Sequence, residues 1–345
     1  MKMKNLLDEK TLKELGYMDD SKPYKLIKDL VKDEEIESIF KVTSKKLQEA
    51  KDGIKFLLLT FKDKTGILRA IDWHNAELND GRISLGDVVK VRGKVVYFEN
   101  RLQLNLSKNP SDVVVLKEGE YDPNRFVETT KRSIKEMYEK LVNHIKSVKS
   151  DKLRRLLEQI FIEDRGFLRK FLDAPAGLSV HHAYRGGLLE HTLDVVELAE
   201  HVVEKYGDIL NRDLLIAGAM LHDIGKAYEY EITPSGLEMT DSGELLGHIV
   251  IGVKMVERVA KRIANFPKNL LMEIEHMIIS HHGEFEWGSP TLPKTPEALV
   301  LHMIDNLDAK LSQFLKLQEK TAEGNNWSEY DRKLGRRVMI RRDSR

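Results

Sequence analysis

The residues of this chain best suited to chemistry are its histidines and the aspartates beside them. The run Ala217-Gly-Ala-Met-Leu-His222-Asp223-Ile-Gly225-Lys226 carries an apolar stretch, readable as buried helix, directly into an imidazole and a carboxylate side by side. A buried carboxylate without a partner is costly, so the pair needs a cation nearby, and a metal ion is the obvious candidate. A His-Asp dipeptide is common by chance; its meaning depends on whether other elements bring further donors to the same place. The candidates are His191, His248, His281, His282 and Asp305, with Asp308 three residues further on. The chain has no cysteine, which excludes disulfides, thiolate sites and a cysteine nucleophile together. Imidazole and carboxylate donors suit Mn, Fe, Co, Ni or Zn, and affinity order alone does not choose among them.

The elements that must position these donors are helical. Beyond Pro123 the apolar period is that of helices, expected over about 125–147, 151–162 and 164–172 before a loop containing Pro175 and Gly177. Then comes His181-His182-Ala-Tyr184-Arg185-Gly186-Gly187-Leu-Leu-Glu190-His191-Thr192, whose two glycines permit a tight turn or close approach before the next helix. His191 shares a face with Leu188, Val195 and Leu198, and His222 ends a helix on the side of Leu215 and Gly218, with Gly225 as the stop. Asp241-Ser242-Gly-Glu244 reads as a capping box opening a helix that carries His248 in line with Gly252 and Met255. A helix from about Asn269 aligns His281 with Ile274 and Ile278, and Thr295-Pro296-Glu297 opens another that places Asp305 one turn beyond Leu301. Singly each histidine is ordinary; five helix faces each delivering His or Asp to an apolar-lined position is not.

Ahead of this region the pattern is different. Residues 1–33 are expected to form an N-terminal helical arm with Leu6, Leu7, Leu12 and Leu15 at helical spacing, whose apolar positions need cover from the chain itself or from a second copy in a homo-oligomer. Short β-rich runs follow at Ile39–Thr43, Ile54–Phe61, Ile67–Trp73, Val88–Tyr97 and Leu102–Leu106, separated by turn signals at Asp63-Lys-Thr-Gly66, Asn79-Asp-Gly81 and Leu85-Gly-Asp87. Five strands in so short a span suggest a small closed barrel. Its aromatics Phe56, Phe61, Trp73, Tyr97 and Phe98 are candidates for stacking bases, and Lys62, Arg69, Lys90, Arg92, Lys94 and Arg101 for neutralising phosphates; the alternative is that the aromatics fill the barrel and the charges form a solvated face. Lys+Arg and Asp+Glu are both 56, so no global field selects a nucleic acid or a membrane. No run approaches the roughly 20 apolar residues of a membrane span, and the N-terminus has no apolar signal core, so a cytoplasmic location without membrane contact is expected.

Phe56 to Gly66, Leu85-Gly-Asp87-Val-Val-Lys-Val-Arg-Gly93 and Tyr97 to Leu106 together resemble the OB-fold of nucleic-acid-binding proteins. The histidine-rich pattern resembles the HD-domain metal-dependent phosphohydrolases, and the order of the two parts resembles the YhaM-type 3′-to-5′ exoribonucleases across nearly the full chain. The expected architecture is multidomain: an arm at 1–33, a small all-β OB-type barrel at 34–118, an all-α HD helical bundle at 123–322 and a basic tail at 323–345 carrying Arg332, Lys333, Arg336, Arg337, Arg341, Arg342 and Arg345. The resemblance implies His191, His222, Asp223 and Asp305 as ligands of one divalent ion, with Asp308 as the alternative carboxylate, and His248, His281 and His282 with bridging Asp223 as ligands of a second. Mn²⁺ is favoured, with Fe, Co, Ni or Zn also compatible. Two such ions activate a water, clamp the scissile phosphate and stabilise attacking and leaving oxygens. Asp223, Lys226 and Arg185 are then the expected catalytic group, Arg185 with His181 and His182 lying over the metals by analogy, where the two histidines are expected to contact the nucleic acid. Lys226 either contacts phosphate or interacts with a helix end as a surface lysine.

The function these expectations support is exonucleolytic hydrolysis of single-stranded RNA, with single-stranded DNA as a secondary substrate and the barrel and basic tail engaging the strand. Two other readings remain: an HD phosphodiesterase of small or cyclic nucleotides, and a non-catalytic nucleic-acid-binding protein with a structural metal site.

Overall fold

The computed structural model describes residues 7, 24–99, 101–117, 119–122, 125–178, 182–233, 236–321 and 324–341. Most of the expected N-terminal arm, His181, Arg342 and Arg345 lie outside these. The chain divides into two compact units, one of Leu7–Thr129 with Ile232–Glu238, the other of Thr130–Glu231 with Met239–Arg345.

The first unit is an OB-type barrel. Its strands are β1 (Glu35–Glu49), β2 (Lys55–Asp63), β3 (Gly66–Asp72), β4 (Val88–Phe98), β5 (Arg101–Leu106) and β6 (Val113–Leu116), with helix α1 (Ala76–Arg82) between β3 and β4. The sheet runs β1-β2-β3-β5-β4 and closes because β4 also pairs with β1; among the described strands only β3 and β5 run parallel, and β6 extends the edge of β4. β1 serves both neighbours through a register shift between Val42 and Ser44, a bulge that bends the strand round the barrel. Alternation along β2 sends Leu57, Leu59 and Phe61 inward, and Phe40 and Phe61 stack at 5.4 Å between ring centroids. The expectation that Phe61 contacts nucleic acid is therefore corrected: its position in the period-two pattern buries it completely in the core.

The second unit is helical: α2 (Ile134–Ser147), α3 (Asp151–Glu158), α4 (Arg165–Asp173), α5 (Gly187–Tyr206), α6 (Arg212–Leu221), α7 (Lys226–Glu229), α8 (Asp241–Ala260), α9 (Lys268–Ser280) and α10 (Pro296–Lys320). Between α7 and α8 the chain forms a hairpin of β7 (Tyr230–Thr233) and β8 (Gly236–Met239), whose Ile232–Glu238 segment belongs to the first unit. Local signals fix several helix starts. Asn211 caps α6 by accepting from Leu214 N–H at 3.1 Å, and Thr295 caps α10 from Ala298 N–H at 3.1 Å with Pro296 in the first turn. Every residue of α6 from Leu214 to Leu221 is buried, so this is the central helix, packed by α5, α9 and α10. Among the described residues no helix is long and apolar enough to cross a membrane.

Three local readings change. α8 is capped by Thr240, which accepts from Gly243 N–H at 3.0 Å, one residue before the expected box. Gly225 is not a left-handed stop, since its φ is −63°; it is required by close approach, because a Cβ there would lie 2.0 Å from the carbonyl oxygen of His248. The segment read as a basic tail pairs with itself at Trp327–Met339 and Asp331–Arg336 and buries Val338 and Ile340, as their alternate spacing permits.

The core position of Phe61 yields a prediction. Phe61→Ala lowers unfolding free energy by about 3–5 kcal/mol, whereas Lys62→Ala, on the exposed side of the same strand, stays within about 0.5 kcal/mol. Urea denaturation of the two variants separates a core from a surface role.

Candidate functional site

Asp223 sits just past the C-terminal end of α6, with 2 % of its surface exposed, and four imidazoles surround it. Around Oδ2 lie His191 Nε2 and His222 Nε2, both at 3.4 Å. Asp305 Oδ1 is 3.2 Å from His191 Nε2 and 3.9 Å from His222 Nε2. Around Oδ1 lie His248 Nε2 and His281 Nε2, both at 3.5 Å. His282 completes this side, its ring centroid 4.3 Å from that of His281. Donors bound to one ion at about 2.0–2.2 Å lie roughly 3–3.5 Å apart, which is the spacing around both oxygens.

The ring orientations leave the right nitrogens open. His222 Nδ1 donates to the Ala219 carbonyl at 2.9 Å and His281 Nδ1 to the Ile278 carbonyl at 2.7 Å, each one turn back on its own helix. His191 Nδ1 contacts Asp308 Oδ2 at 2.8 Å and His248 Nδ1 contacts Glu229 Oε1 at 3.1 Å. With Nδ1 engaged by an acceptor in every case, Nε2 is the nitrogen turned toward Asp223. Asp223 Oδ1, His248 Nε2, His281 Nε2 and His282 Nδ1 are buried without any hydrogen-bond partner. Orphaned buried polar atoms cost about 1–3 kcal/mol each, so their concentration in one cluster is the mark of an ion-binding site, and the donor set fits a divalent metal.

Electrostatics separates the two sides. Burial works to raise the Asp223 carboxyl, but the Lys226 ammonium and the His222 and His191 rings hold it well below the usual carboxylate range. Asp305 and Asp308 are likewise held low, against burial, chiefly by hydrogen bonds to histidine rings. Burial also works to lower His191, yet its three aspartate partners raise it well above the ordinary imidazole value. Burial, with neighbouring imidazoles beside it, pushes His281 and His282 below the ordinary imidazole value.

Of the expected catalytic residues, Lys226 is within this site: its Nζ donates to Asp223 Oδ2 at 2.6 Å from a buried position, so it is not a surface lysine. Arg185 is buried and ion-paired with Asp173 at the end of α4, which corrects the expectation of a guanidinium offered to phosphate. His182 is also buried, with Nδ1 on the Tyr184 hydroxyl at 2.8 Å and Nε2 on Asp308 at 3.1 Å, so the expected contact with nucleic acid is corrected to a structural one. Asp308 stands on the Nδ1 side of His191 and Asp305 on its Nε2 side. Glu229 went unnoticed in the sequence; a glutamate ending a short helix gives no periodic signal.

On the barrel, a groove of about 850 Å³ crosses β2, β3 and β5, lined by Thr60, Ile67, Arg69, Phe98, Arg101 and Gln103 among others. Arg69 and Arg101 project from exposed positions, and Phe98 is half exposed beside them. Trp73 lies against Phe56 at 4.7 Å between centroids, Tyr97 is exposed, Lys62 is exposed on β2, and Arg92 pairs with Glu37 of β1 at 2.7 Å. None of these five lines the groove.

Comparison with known proteins agrees with this division. Residues 188–310 match the HD domain family model and residues 41–108 the OB-fold nucleic acid binding domain model. The chain is 34 % identical to a 3′-5′ exoribonuclease YhaM from a Geobacillus species, over 80 % of this chain and 82 % of that one. It is 32 % identical to the 3′-5′ exoribonuclease YhaM of Bacillus subtilis, over 84 % of this chain and 90 % of that one.

Because an ion that binds only the folded state stabilises it, removing divalent metal with a chelator should lower the thermal unfolding midpoint. Restoring Mn²⁺ to 100 times its dissociation constant returns about 2.7 kcal/mol. Calorimetry with and without chelator checks this; identical midpoints would speak against a metal site.

Proposed function

The chain belongs to the YhaM family of 3′-5′ exoribonucleases, and from that premise we propose that it trims single-stranded RNA from the 3′ end with two divalent ions at Asp223, Mn²⁺ favoured, accepting single-stranded DNA as a secondary substrate. The observation that carries this reading is the disposition of four imidazole Nε2 atoms, two about each oxygen of one carboxylate. A bridging aspartate of this kind supports a two-ion site over two unrelated ones.

In this proposal His191, His222, Asp223 and Asp305 hold one ion and His248, His281, His282 and Asp223 the other. When bound, the ions supply Lewis-acid activation of water and charge stabilisation at the phosphodiester. The remaining work belongs to side chains of the chain itself. Asp308 orients His191 through Nδ1, and Lys226 holds Asp223 by a buried ion pair while placing a fixed positive charge beside the reacting phosphate. Arg185 keeps the loop before α5 anchored to α4 through Asp173. On the barrel, Phe98 offers a stacking surface and Arg69 and Arg101 cationic partners for the strand, a sequence-tolerant combination suited to single strands.

The primary test is a 5′-labelled oligoribonucleotide incubated with the protein and Mn²⁺. A ladder of progressively shorter 5′-labelled products is expected, and Asp223→Asn should reduce turnover at least about 100-fold while leaving RNA binding in place. Turnover of cyclic or mononucleotides with no action on the oligonucleotide would favour the small-nucleotide reading. Full turnover in Asp223→Asn would favour a structural metal.

The groove makes a separate prediction. Arg69→Ala and Arg101→Ala raise KM for long RNA and reduce the salt slope of binding by about one unit each, leaving cleavage of a dinucleotide unchanged. Filter binding across a salt series, run beside the kinetics, reads both quantities.

A further inference from the structure

We propose that Glu229 positions His248 and thereby determines whether the second divalent ion binds, an inference that rests on the two-ion reading above. The imidazoles of the site are fixed in different ways. His222 and His281 donate Nδ1–H to carbonyls three residues back on their own helices, Ala219 and Ile278, so the helix itself sets their rings. His248 has no such support. α8 is broken at Gly247, where φ is 68° and ψ 160°, so the carbonyl three residues behind His248 belongs to a segment on the far side of the break. The same break leaves the His248 N–H at the start of a new helical run, without an intrahelical acceptor.

Glu229 answers both deficits with one atom. Its Oε1 accepts from His248 N–H at 2.9 Å and contacts His248 Nδ1 at 3.1 Å, and the carboxylate is 3 % exposed. Nε2 is then left buried, without a hydrogen-bond partner, 3.5 Å from Asp223 Oδ1. The backbone supports this arrangement, since α7 meets His248 at Gly225, where a Cβ would clash with the His248 carbonyl oxygen at 2.0 Å. Glu229 thus fixes the position and ring orientation of one donor to the second ion, and among the described residues its hydrogen bonds do not reach His191, His222 or Asp305. Removing such a partner typically weakens metal binding about 10–100-fold.

The test is stepwise Mn²⁺ titration by calorimetry on the full chain after chelation, with bound metal counted by elemental analysis, for wild type, Glu229→Ala and Glu229→Gln. Wild type is expected to take up two ions. Glu229→Ala should keep the first step and weaken the second about 10–100-fold. Glu229→Gln retains an amide oxygen able to accept from both N–H groups, so its second step should fall between the other two, and excess Mn²⁺ should restore its RNA turnover. If Glu229→Ala fails to fold, Glu229→Gln decides: a weakened second step with an intact first supports the proposal, and equal weakening of both steps overturns it. Two variants that bind both ions as wild type does would sink the Glu229 assignment and leave the two-ion reading standing. A wild type that binds one ion would sink the two-ion reading itself.

Discussion

Everything in the helical unit depends on the desolvation of one carboxylate. Asp223 is almost fully buried among imidazoles, and one of its oxygens has no hydrogen bond at all. A carboxylate in that position is tolerable only if positive charge is delivered to it, and the surrounding helices deliver it in two ways. Lys226 does so covalently tethered, from the next turn of chain; the open Nε2 atoms do so indirectly, by creating places for cations. The packing of α5, α6, α8, α9 and α10 can be read as the means of bringing five helix faces to this point.

That requirement explains features that look like irregularities. The break at Gly247 and the close approach at Gly225 accompany the placement of His248 Nε2 3.5 Å from Asp223 Oδ1. The Nδ1 partners differ because the helices arrive differently: His222 and His281, at helix C-termini, use carbonyls of their own last turn, whereas His191 near an N-terminus and His248 after a break draw on carboxylates from elsewhere. The two aspartates of α10 divide the work through their spacing. Asp305 and Asp308, one turn apart, face opposite nitrogens of the same His191 ring.

Much of this was legible in the sequence, because helical periodicity predicts which face a histidine occupies. His191, His222, His248, His281 and Asp305 could each be assigned to an apolar-lined face, and the barrel strands followed from alternation and turn residues. What the sequence withheld were choices made by tertiary contact. Phe61 and Phe56 are both aromatics on one strand, and a register one residue different would exchange their roles. Arg185 looked like a free guanidinium because Asp173, its partner, lies across a loop whose path carries no pattern. Helix α1, strand β6 and the β7–β8 hairpin were missed because each is short and its turn residues also fit a plain loop. Glu229 was hidden for the same reason, its role existing only once α8 breaks.

The central claim is that Asp223 bridges two ions, and the most direct measurement is the anomalous scattering of Mn²⁺ in crystals of the chain. The account predicts two peaks about 3.5–4 Å apart. One would lie among His191, His222 and Asp305, the other among His248, His281 and His282, with an Asp223 oxygen on each. A single peak at His191, His222 and Asp305 with none beside His248, under saturating Mn²⁺, would contradict it.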